Sequence, residues 1–247
     1  FKFTPKLEVY LENTKLNVPN IAIFRGPWLN GPSVSVWNTL LSFCEDNNVR
    51  VLNNATYHEI RSFDKLNQHL FFEKNNIPYV DTVVYSKKSL IKANLPPFPF
   101  IVKSSLGSHG DFVWKINSEE DINNLDIKDA PFLVQPMLPN ARDVRVIILG
   151  GNPIGAMERV AKSGGYLSNF SAGGSVNSFD LSKNSEVFNM SKKLADALKC
   201  EYGGVDLMQD NKGNWKVLEI NLFCQFEGFE KATKIDVPLQ LISYLTS

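Results

Sequence analysis

Three residues near the C-terminal end are of types whose side-chain oxygens can bind divalent cations: Asp206, Glu219 and Asn221. Residues 210–213 have the composition of a turn and lie between two apolar runs, which predicts a β-hairpin. A two- or four-residue loop would place Asp206 opposite Val217 and diagonal to Glu219, roughly 7 Å away. Two carboxylates and an amide oxygen on one face suit Mg²⁺ or Mn²⁺. An exposed hairpin face with acids there by chance explains the same residues, and the hairpin alone leaves both interpretations open.

A second candidate is a loop with the composition of a phosphate-binding site. Lys103 ends an apolar run and is followed by Gly107, Ser108 and Gly110. Backbone N–H groups in such a loop can bind phosphate oxygens because glycine removes the Cβ that would keep the phosphate away. Lysine adds a mobile positive charge. The spacing is not that of a P-loop, and for these residues taken alone an ordinary hairpin loop is the favoured interpretation.

Other charged residues have weaker signals. Asp143 and Arg145 share one face of a predicted strand, and Arg159 lies in a basic cluster on the next strand. An arginine facing a cleft can bind phosphate or carboxylate bidentately, but charges on an exposed strand are the simpler explanation. Lys65, near the start of a helix, would ordinarily be a surface residue.

Apolar periodicity predicts the elements that must hold these residues. Strand, helix and strand over 20–27, 34–47 and 49–52 form a β-α-β fragment of a small parallel sheet. A helix over about 63–75 has Ser62 as its predicted N-cap and Phe63, Leu66 and Leu70 on one face. The remaining predicted strands cover 100–103, 111–116, 132–135, 143–149 and 154–160, with helices over 118–127 and 185–199.

Composition narrows the class of protein. The 247 residues include 26 basic and 26 acidic side chains, and this balance argues against a nucleic acid or a membrane surface as the main partner. Cys44, Cys200 and Cys224 lack C-x-x-C spacing, which disfavours a disulfide framework or a zinc site and favours a cytoplasmic setting. The sequence leaves the oligomeric state open, a homo-oligomer included.

The order of these motifs resembles the ATP-grasp superfamily, and most closely its RimK-like branch of glutamate ligases. The likeness runs from about residue 53 to the C-terminus and continues through 227–233. It implies an α+β fold in which two α+β lobes clasp ATP, preceded by a partial α/β pre-ATP-grasp domain. The corresponding boundaries are 1–54 for the partial domain and 55–247 for the ATP-grasp domain, with a nucleotide lobe over about 55–135 and a metal and substrate lobe over 136–247.

The resemblance also implies roles. Lys65 and Lys103 would hold the α- and β-phosphates, and residues 107–110 would form the flap over the phosphates. Glu219 would bridge two Mg²⁺ or Mn²⁺ ions, with Asp206 and Asn221 as the other ligands. Arg159 would bind an acyl phosphate, and Arg145 is placed with it as a catalytic candidate. The remaining nucleotide-binding candidates are Gln135, Pro136, Met137 and Leu138 at the hinge, Asp143, and Ser168 and Asn169.

These parts indicate an ATP-dependent carboxylate–amine ligase that acts on small-molecule or peptide substrates. The sequence departs from the RimK pattern at the substrate end, where Val160, Leu167 and Ala172 stand in place of basic residues and Phe223-Cys224-Gln225 replaces Ser-Pro-Gly. Losing these cations predicts a less acidic substrate. The alternative is a nucleotide-binding protein with reduced catalysis that acts as a sensor or accessory subunit.

Overall fold

The computed structural model describes residues 1–3, 6–25, 33–60, 64–91, 94–105, 112–125, 131–139, 142–161 and 174–247. The N-terminal part contains four two-residue strands, β1 to β4, at Lys2–Phe3, Leu7–Glu8, Tyr10–Leu11 and Thr14–Lys15. Strand β5 (Ile21–Ala22), helix α1 (Ser33–Asp46) and strand β6 (Arg50–Val51) follow, and the two strands pair in parallel. The predicted β-α-β fragment is therefore confirmed. Helix α2 (Asn54–Glu59) comes next.

A four-stranded antiparallel sheet follows helix α3 (Lys65–Lys74). Its strands are ordered β7-β10-β8-β9, where β7 is Val83–Tyr85, β8 Phe100–Ser104, β9 Val113–Ile116 and β10 Phe132–Pro136. Helix α4 (Glu119–Asn124) connects β9 to β10, and Ser118 caps it. Phe100 and Val102 are fully buried on one face, and Lys103 lies on the other because side chains alternate along a strand.

A five-stranded antiparallel sheet forms the second lobe, in the order β13-β12-β11-β14-β15. The strands are β11 (Arg142–Leu149), β12 (Asn152–Val160), β13 (Ser175–Phe179), β14 (Tyr202–Gln209) and β15 (Trp215–Asn221). The helices of this lobe are α5 (Ser185–Leu198), α6 (Glu227–Thr233) and α7 (Val237–Thr246). No helix of the described ranges combines the length and the apolar character needed to cross a membrane.

The two faces of the larger sheet are buried differently. One face packs against α5 through Val187, Leu194 and Leu198, which the sequence had predicted as the apolar stripe of that helix. On the other face, Ile147 and Leu149 pack beneath α6 and α7. Asp143 and Arg145 of the same strand β11 alternate onto this second face, toward the start of the strand. Alternation therefore keeps charged side chains on one end of an otherwise apolar face.

The register of the β14–β15 hairpin differs from the predicted one. Gln209 pairs with Trp215, so the connecting loop is one residue longer than a four-residue loop. A bulge then shifts the pairing, and Asp206 lies directly opposite Glu219 rather than opposite Val217. The extra loop residue and the bulge each shift the pairing by one residue. Because two such shifts return the side chains to the same face, the predicted sharing of one face is confirmed, although the predicted diagonal pairing is wrong.

The prediction for helix α3 is wrong at two points. Its N-cap is Asp64, whose side chain accepts a hydrogen bond from the Asn67 backbone N–H, and not Ser62. Leu70 is 52% exposed, and the buried residues of the helix are Gln68, His69 and Phe72. Ser62 and Phe63 lie outside the described residues. Apolar spacing misassigned the face because polar side chains of this helix are bonded inside the protein.

Asn53 joins the N-terminal part to the larger lobe. Its side-chain oxygen accepts hydrogen bonds from the backbone N–H groups of Glu201 and Tyr202 at 2.8 and 2.9 Å, and its amide donates to the Tyr202 carbonyl at 2.7 Å. Asn53 is 1% exposed and has a positive φ of 63°. Arg50 adds a salt bridge to Glu201. The start of β14 is therefore fixed to the segment that follows β6.

Candidate active site

Two arginines and two aspartates form a chain of ion pairs across β12, β11 and β14. Arg145 binds Asp206 bidentately, with Nε–Oδ1 and Nη2–Oδ2 distances of 2.7 Å each. Arg159 binds Asp143 in the same way, at 2.7 and 2.6 Å, and its Nη2 also lies 2.9 Å from Asp206 Oδ2. The register explains the contacts, because Arg145 pairs with Asp206 across β11 and β14 and Asp143 pairs with Arg159 across β11 and β12.

This chain of charges is almost completely buried. The side chains of Arg159, Asp143 and Asp206 are 5%, 5% and 3% exposed, and that of Arg145 is 13% exposed. Burial alone would raise the pKa of Asp206, but Arg145 and Arg159 hold it below its ordinary value. Burial lowers the pKa of each arginine, and the adjacent carboxylates outweigh that effect and raise it. Asp206, Arg145 and Arg159 are therefore charged at neutral pH.

Gly204 gives the Arg145 side chain its room. A Cβ at Gly204 would lie 3.2 Å from Cδ of Arg145 and 3.1 Å from Cβ of Cys224. Cys224 is 3% exposed, and burial raises the pKa of its thiol. A reactive cysteine has a lowered pKa and access to solvent, so Cys224 fills space beside Arg145 and lacks the character of a nucleophile.

The predicted cation ligands do come together. Asn221 Nδ2 donates to Glu219 Oε1 at 2.9 Å and lies 3.4 Å from Asp206 Oδ2, and Glu219 stands opposite Asp206 in the ladder. Within the described ranges no three His, Cys, Asp or Glu side chains gather to hold a metal ion, so the set needs the Asn221 amide oxygen. Two carboxylates and one amide oxygen are a donor set that fits Mg²⁺, whose remaining ligands are usually water and phosphate oxygens. That fit requires the Asn221 amide to turn its oxygen toward the ion.

Lys103 brings a positive charge from the smaller sheet to this group. Lys103 is half-buried on β8 and lies within electrostatic reach of Glu219, Asp143 and Asp206. Burial lowers the pKa of Lys103, and these carboxylates act in the opposite direction. Lys65, the first residue of α3, is close enough for its charge to lower the pKa of Lys103 as well. The two predicted phosphate-binding lysines are therefore neighbours, as phosphate binding requires.

The predicted hinge lies between the two sheets. Gln135 and Pro136 are the last residues of β10, and Met137 and Leu138 lead toward β11. Gln135 is 3% exposed, while the other three are half-buried. The side chain of Gln135 points to the protein interior, where its amide donates to Thr82 Oγ1 at 2.8 Å and to His69 Nε2 at 3.1 Å. Any adenine contact of this segment would therefore use its backbone.

Sequence reasoning missed the helix α3 residues that hold the site together. The Gln68 side-chain oxygen accepts a hydrogen bond from the Ile220 backbone N–H at 2.8 Å, between Glu219 and Asn221. His69 Nδ1 donates to the Lys65 carbonyl at 2.7 Å, which leaves Nε2 to accept from Gln135. The sequence carries little signal for these bonds, because six of the ten residues of α3 are polar and Gln68 and His69 do not stand out among them.

Five predicted site residues fall outside the described part of the chain. They are Gly107, Ser108, Gly110, Ser168 and Asn169. The roles predicted for them remain predictions, and the site described above is built from residues of β8, β10, β11, β12, β14, β15 and α3.

Similarity to known sequences extends over this whole region. The RimK-like ATP-grasp domain matches residues 62–245. β-Citrylglutamate synthase B of Mus musculus is 27% identical over 246 residues, which cover 93% of this chain and 61% of the mouse protein. A probable α-L-glutamate ligase of Mannheimia succiniciproducens is 31% identical over 153 residues, or 60% of this chain and 50% of that protein. The chain thus spans about three fifths of the length of the first of these relatives and half of the second.

Solved structures show the same fold at lower sequence identity. The ATP-grasp ligase PsnB, complexed with minimal precursor, Mg and ADP, has a TM-score of 0.68 and 18% identity, and the match covers 99% of this chain and 87% of PsnB. A RimK domain ATP-grasp protein of Sphaerobacter thermophilus has a TM-score of 0.66 and 17% identity, over 92% of this chain and 81% of that protein. The expected α+β ATP-grasp fold is therefore confirmed, and the chain belongs to the RimK-like ATP-grasp family.

Proposed function

We propose that this protein is an ATP-dependent carboxylate–amine ligase. The observation that carries the proposal is the meeting of Asp206, Glu219 and Asn221 with Arg145 and Arg159 on one sheet face. Lys103 of the other sheet lies within electrostatic reach of the same group. The relatives named above carry the names of a synthase and a ligase, which supports the proposal.

The proposed reaction has two steps. The substrate carboxylate takes the γ-phosphoryl group of ATP, so an O–P bond forms, the bond to the leaving oxygen breaks, and ADP is released. The amine then attacks the acyl carbon of the acyl phosphate, expels inorganic phosphate and loses a proton, which leaves an amide. Both steps depend on alignment and on neutralisation of charge more than on a nucleophilic side chain.

Each charged residue has a defined part in this scheme. Asp206, Glu219 and Asn221 would hold Mg²⁺ or Mn²⁺, in one or two ions, and the metal would neutralise charge on the phosphates. Lys65 and Lys103 would bind phosphate oxygens as point charges. Arg159, whose Nη2 lies 2.9 Å from Asp206 Oδ2, would bind the acyl phosphate beside the metal, and Arg145 would hold Asp206 in position through its bidentate contact.

The residues at the predicted substrate-binding end of the site favour a substrate that carries less negative charge than glutamate. Val160 stands where the RimK pattern has a second arginine, and Phe223 and Cys224 replace small residues after the metal strand. Phe223 packs against Trp37 of the N-terminal part at a ring distance of 6.4 Å, and Cys224 is buried. A second substrate carboxylate would find fewer cations here, so we propose a bulkier or peptide substrate, with a cytoplasmic location for the enzyme.

The test is release of ADP and phosphate by the full chain with Mg²⁺, ATP, an acid and an amine. Hydroxylamine in place of the amine should trap the acyl phosphate as a hydroxamate. Glu219→Gln should abolish both signals, and Glu186→Gln, at an exposed glutamate of α5, should leave them intact. ATP with Mg²⁺ at 100 times its dissociation constant should stabilise the wild-type protein by about 2.7 kcal/mol. Absence of that stabilisation would refute nucleotide binding, and strong dependence on glutamate would refute the proposed substrate class.

A further inference from the structure

We infer that Arg159, together with Arg145, selects which form of the divalent cation enters the site, and that it admits the nucleotide-bound ion while rejecting the free one. The inference rests on the proposed function, because it concerns the cation that the ligase would use. It assigns Arg159 a role before catalysis, in addition to the acyl-phosphate contact proposed above. Asp143 would hold the Arg159 side chain when its contact with Asp206 breaks.

The first support is that the arginines already bind the oxygens that a cation needs. Asp206 Oδ1 accepts from Arg145 Nε at 2.7 Å. Asp206 Oδ2 accepts from Arg145 Nη2 at 2.7 Å and lies 2.9 Å from Arg159 Nη2. With Asn221 Nδ2 at 3.4 Å from the same Oδ2, little of the acceptor capacity of this carboxylate is left. A cation at Asp206 must therefore displace at least one guanidinium contact.

The second support is the balance of charge around the site. Among the described groups that act on one another here, three carry negative charge (Asp143, Asp206 and Glu219) and four carry positive charge (Arg145, Arg159, Lys103 and Lys65). A free divalent cation would add two positive charges beside buried guanidinium groups, and that repulsion is strong where water is excluded. The same ion bound to a polyphosphate arrives with more negative than positive charge, so the repulsion becomes attraction.

The third support is that Arg159 can leave Asp206 without losing its other bonds. Its Nε and Nη2 remain bound to Asp143 at 2.7 and 2.6 Å after the Asp206 contact breaks. Both side-chain contacts of Arg145 go to Asp206, so within the described part of the chain no second carboxylate holds it by a hydrogen bond. Arg159 is therefore the arginine whose release costs least, and Asp143 is a positioning residue for it.

Binding of Mn²⁺ tests the inference directly when it is measured by equilibrium dialysis, because the nucleotide and its Mn²⁺ complex cross the membrane and only the ion retained by the protein is in excess on the protein side. The wild-type chain should bind Mn²⁺ weakly alone and tightly in the presence of a non-hydrolysable ATP analogue. Arg159→Gln should bind Mn²⁺ alone about tenfold more tightly or better, since one positive charge next to the ion is gone. Arg159→Lys should lie closer to wild type. Arg142→Gln removes a neighbouring arginine whose side chain is 55% exposed and should change nothing.

The outcomes separate this inference from the proposed function. Tight binding of Mn²⁺ to the wild-type chain without nucleotide would overturn the inference even if Arg159→Gln fails to fold, and so would a folded Arg159→Gln chain with no gain. Nucleotide-dependent Mn²⁺ binding would leave the proposed function standing in both cases. Failure of the wild-type chain to bind Mn²⁺ even with the analogue would overturn the ligase proposal as well. A mere structural role for Arg159 predicts loss of binding, so a gain supports selection.

Discussion

Replacement of Gln68 by methionine tests whether helix α3 supports the cation ligands. Strand β15 is the outer strand of its sheet, so alternate backbone N–H groups face away from β14. The Val217 N–H donates to the Pro78 carbonyl at 2.8 Å, and the Ile220 N–H donates to Gln68 Oε1 at 2.8 Å. Methionine has nearly the same length and lacks the acceptor, so Gln68→Met removes one hydrogen bond and little volume.

The magnitude follows from burial. Ile220 is 2% exposed and Gln68 is 5% exposed, so water does not readily replace the lost acceptor. Leaving a buried N–H group unpaired costs about 1–3 kcal/mol. For a chain of this size that loss lowers Tm by roughly 2–12 °C. Because Ile220 lies between Glu219 and Asn221, the nucleotide-dependent affinity for Mn²⁺ should fall as well, by about tenfold if the strand edge moves enough to cost 1.4 kcal/mol.

Thermal melts with and without Mg²⁺ and an ATP analogue measure both effects. The matched control is Gln240→Met, at an exposed glutamine of α7, where surface substitution should change stability by no more than about 0.5 kcal/mol. Equal melting curves and equal cation affinities for the two variants would show that α3 does not support β15 in the proposed way.

Three further substitutions test other parts of the structure. Burial lowers the pKa of His69 in the folded protein. The unfolded chain, in which the pKa of this histidine is about 6.5, therefore binds more protons, and the stability of the fold decreases as the pH drops through that value. His69→Gln should make the stability less dependent on pH in thermal melts, and an unchanged slope would contradict the assignment. Asn53→Ala removes three buried hydrogen bonds to Glu201 and Tyr202 and should cost about 3 kcal/mol or more, with early proteolysis of the N-terminal part; equal protease resistance would exclude an anchoring role. Gly204→Ala places a Cβ 3.2 Å from Cδ of Arg145 and should cost about 1–3 kcal/mol in urea unfolding, whereas a neutral result would show that the neighbouring side chains can move aside.

The sequence predicted those parts of the site that depend on the types of the residues more than on the exact pairing of the strands. Asp206, Glu219 and Asn221 were assigned to one hairpin face, and the structure brings them together even though the predicted register was wrong. A bulge cannot be read from residue spacing, because it depends on the loop length and on what packs at the outer strand. Val217 supplies that constraint, since its N–H donates to Pro78.

The ion pairs of the larger sheet lay beyond what the sequence alone could predict. Arg145 and Arg159 were expected to contact substrate or nucleotide, and Asp143 was expected to contact nucleotide. In the structure Arg159 binds Asp143 and Asp206, and Arg145 binds Asp206. Cross-strand pairing of this kind requires the register of three strands at once, and a single sequence does not contain it. Whether nucleotide also reaches Asp143 stays a prediction.

The error in helix α3 has a physical cause that bears on function. A helix that only covers a core should bury its apolar residues, but α3 buries Gln68 and His69 and leaves Leu70 exposed. Local rules fail in this way where a segment must serve the site as well as the fold. Helix α3 begins with Lys65, bonds the cation strand through Gln68 and reaches Gln135 of the hinge through His69. A movement of α3 would therefore shift Lys65, strand β15 and the end of β10 together.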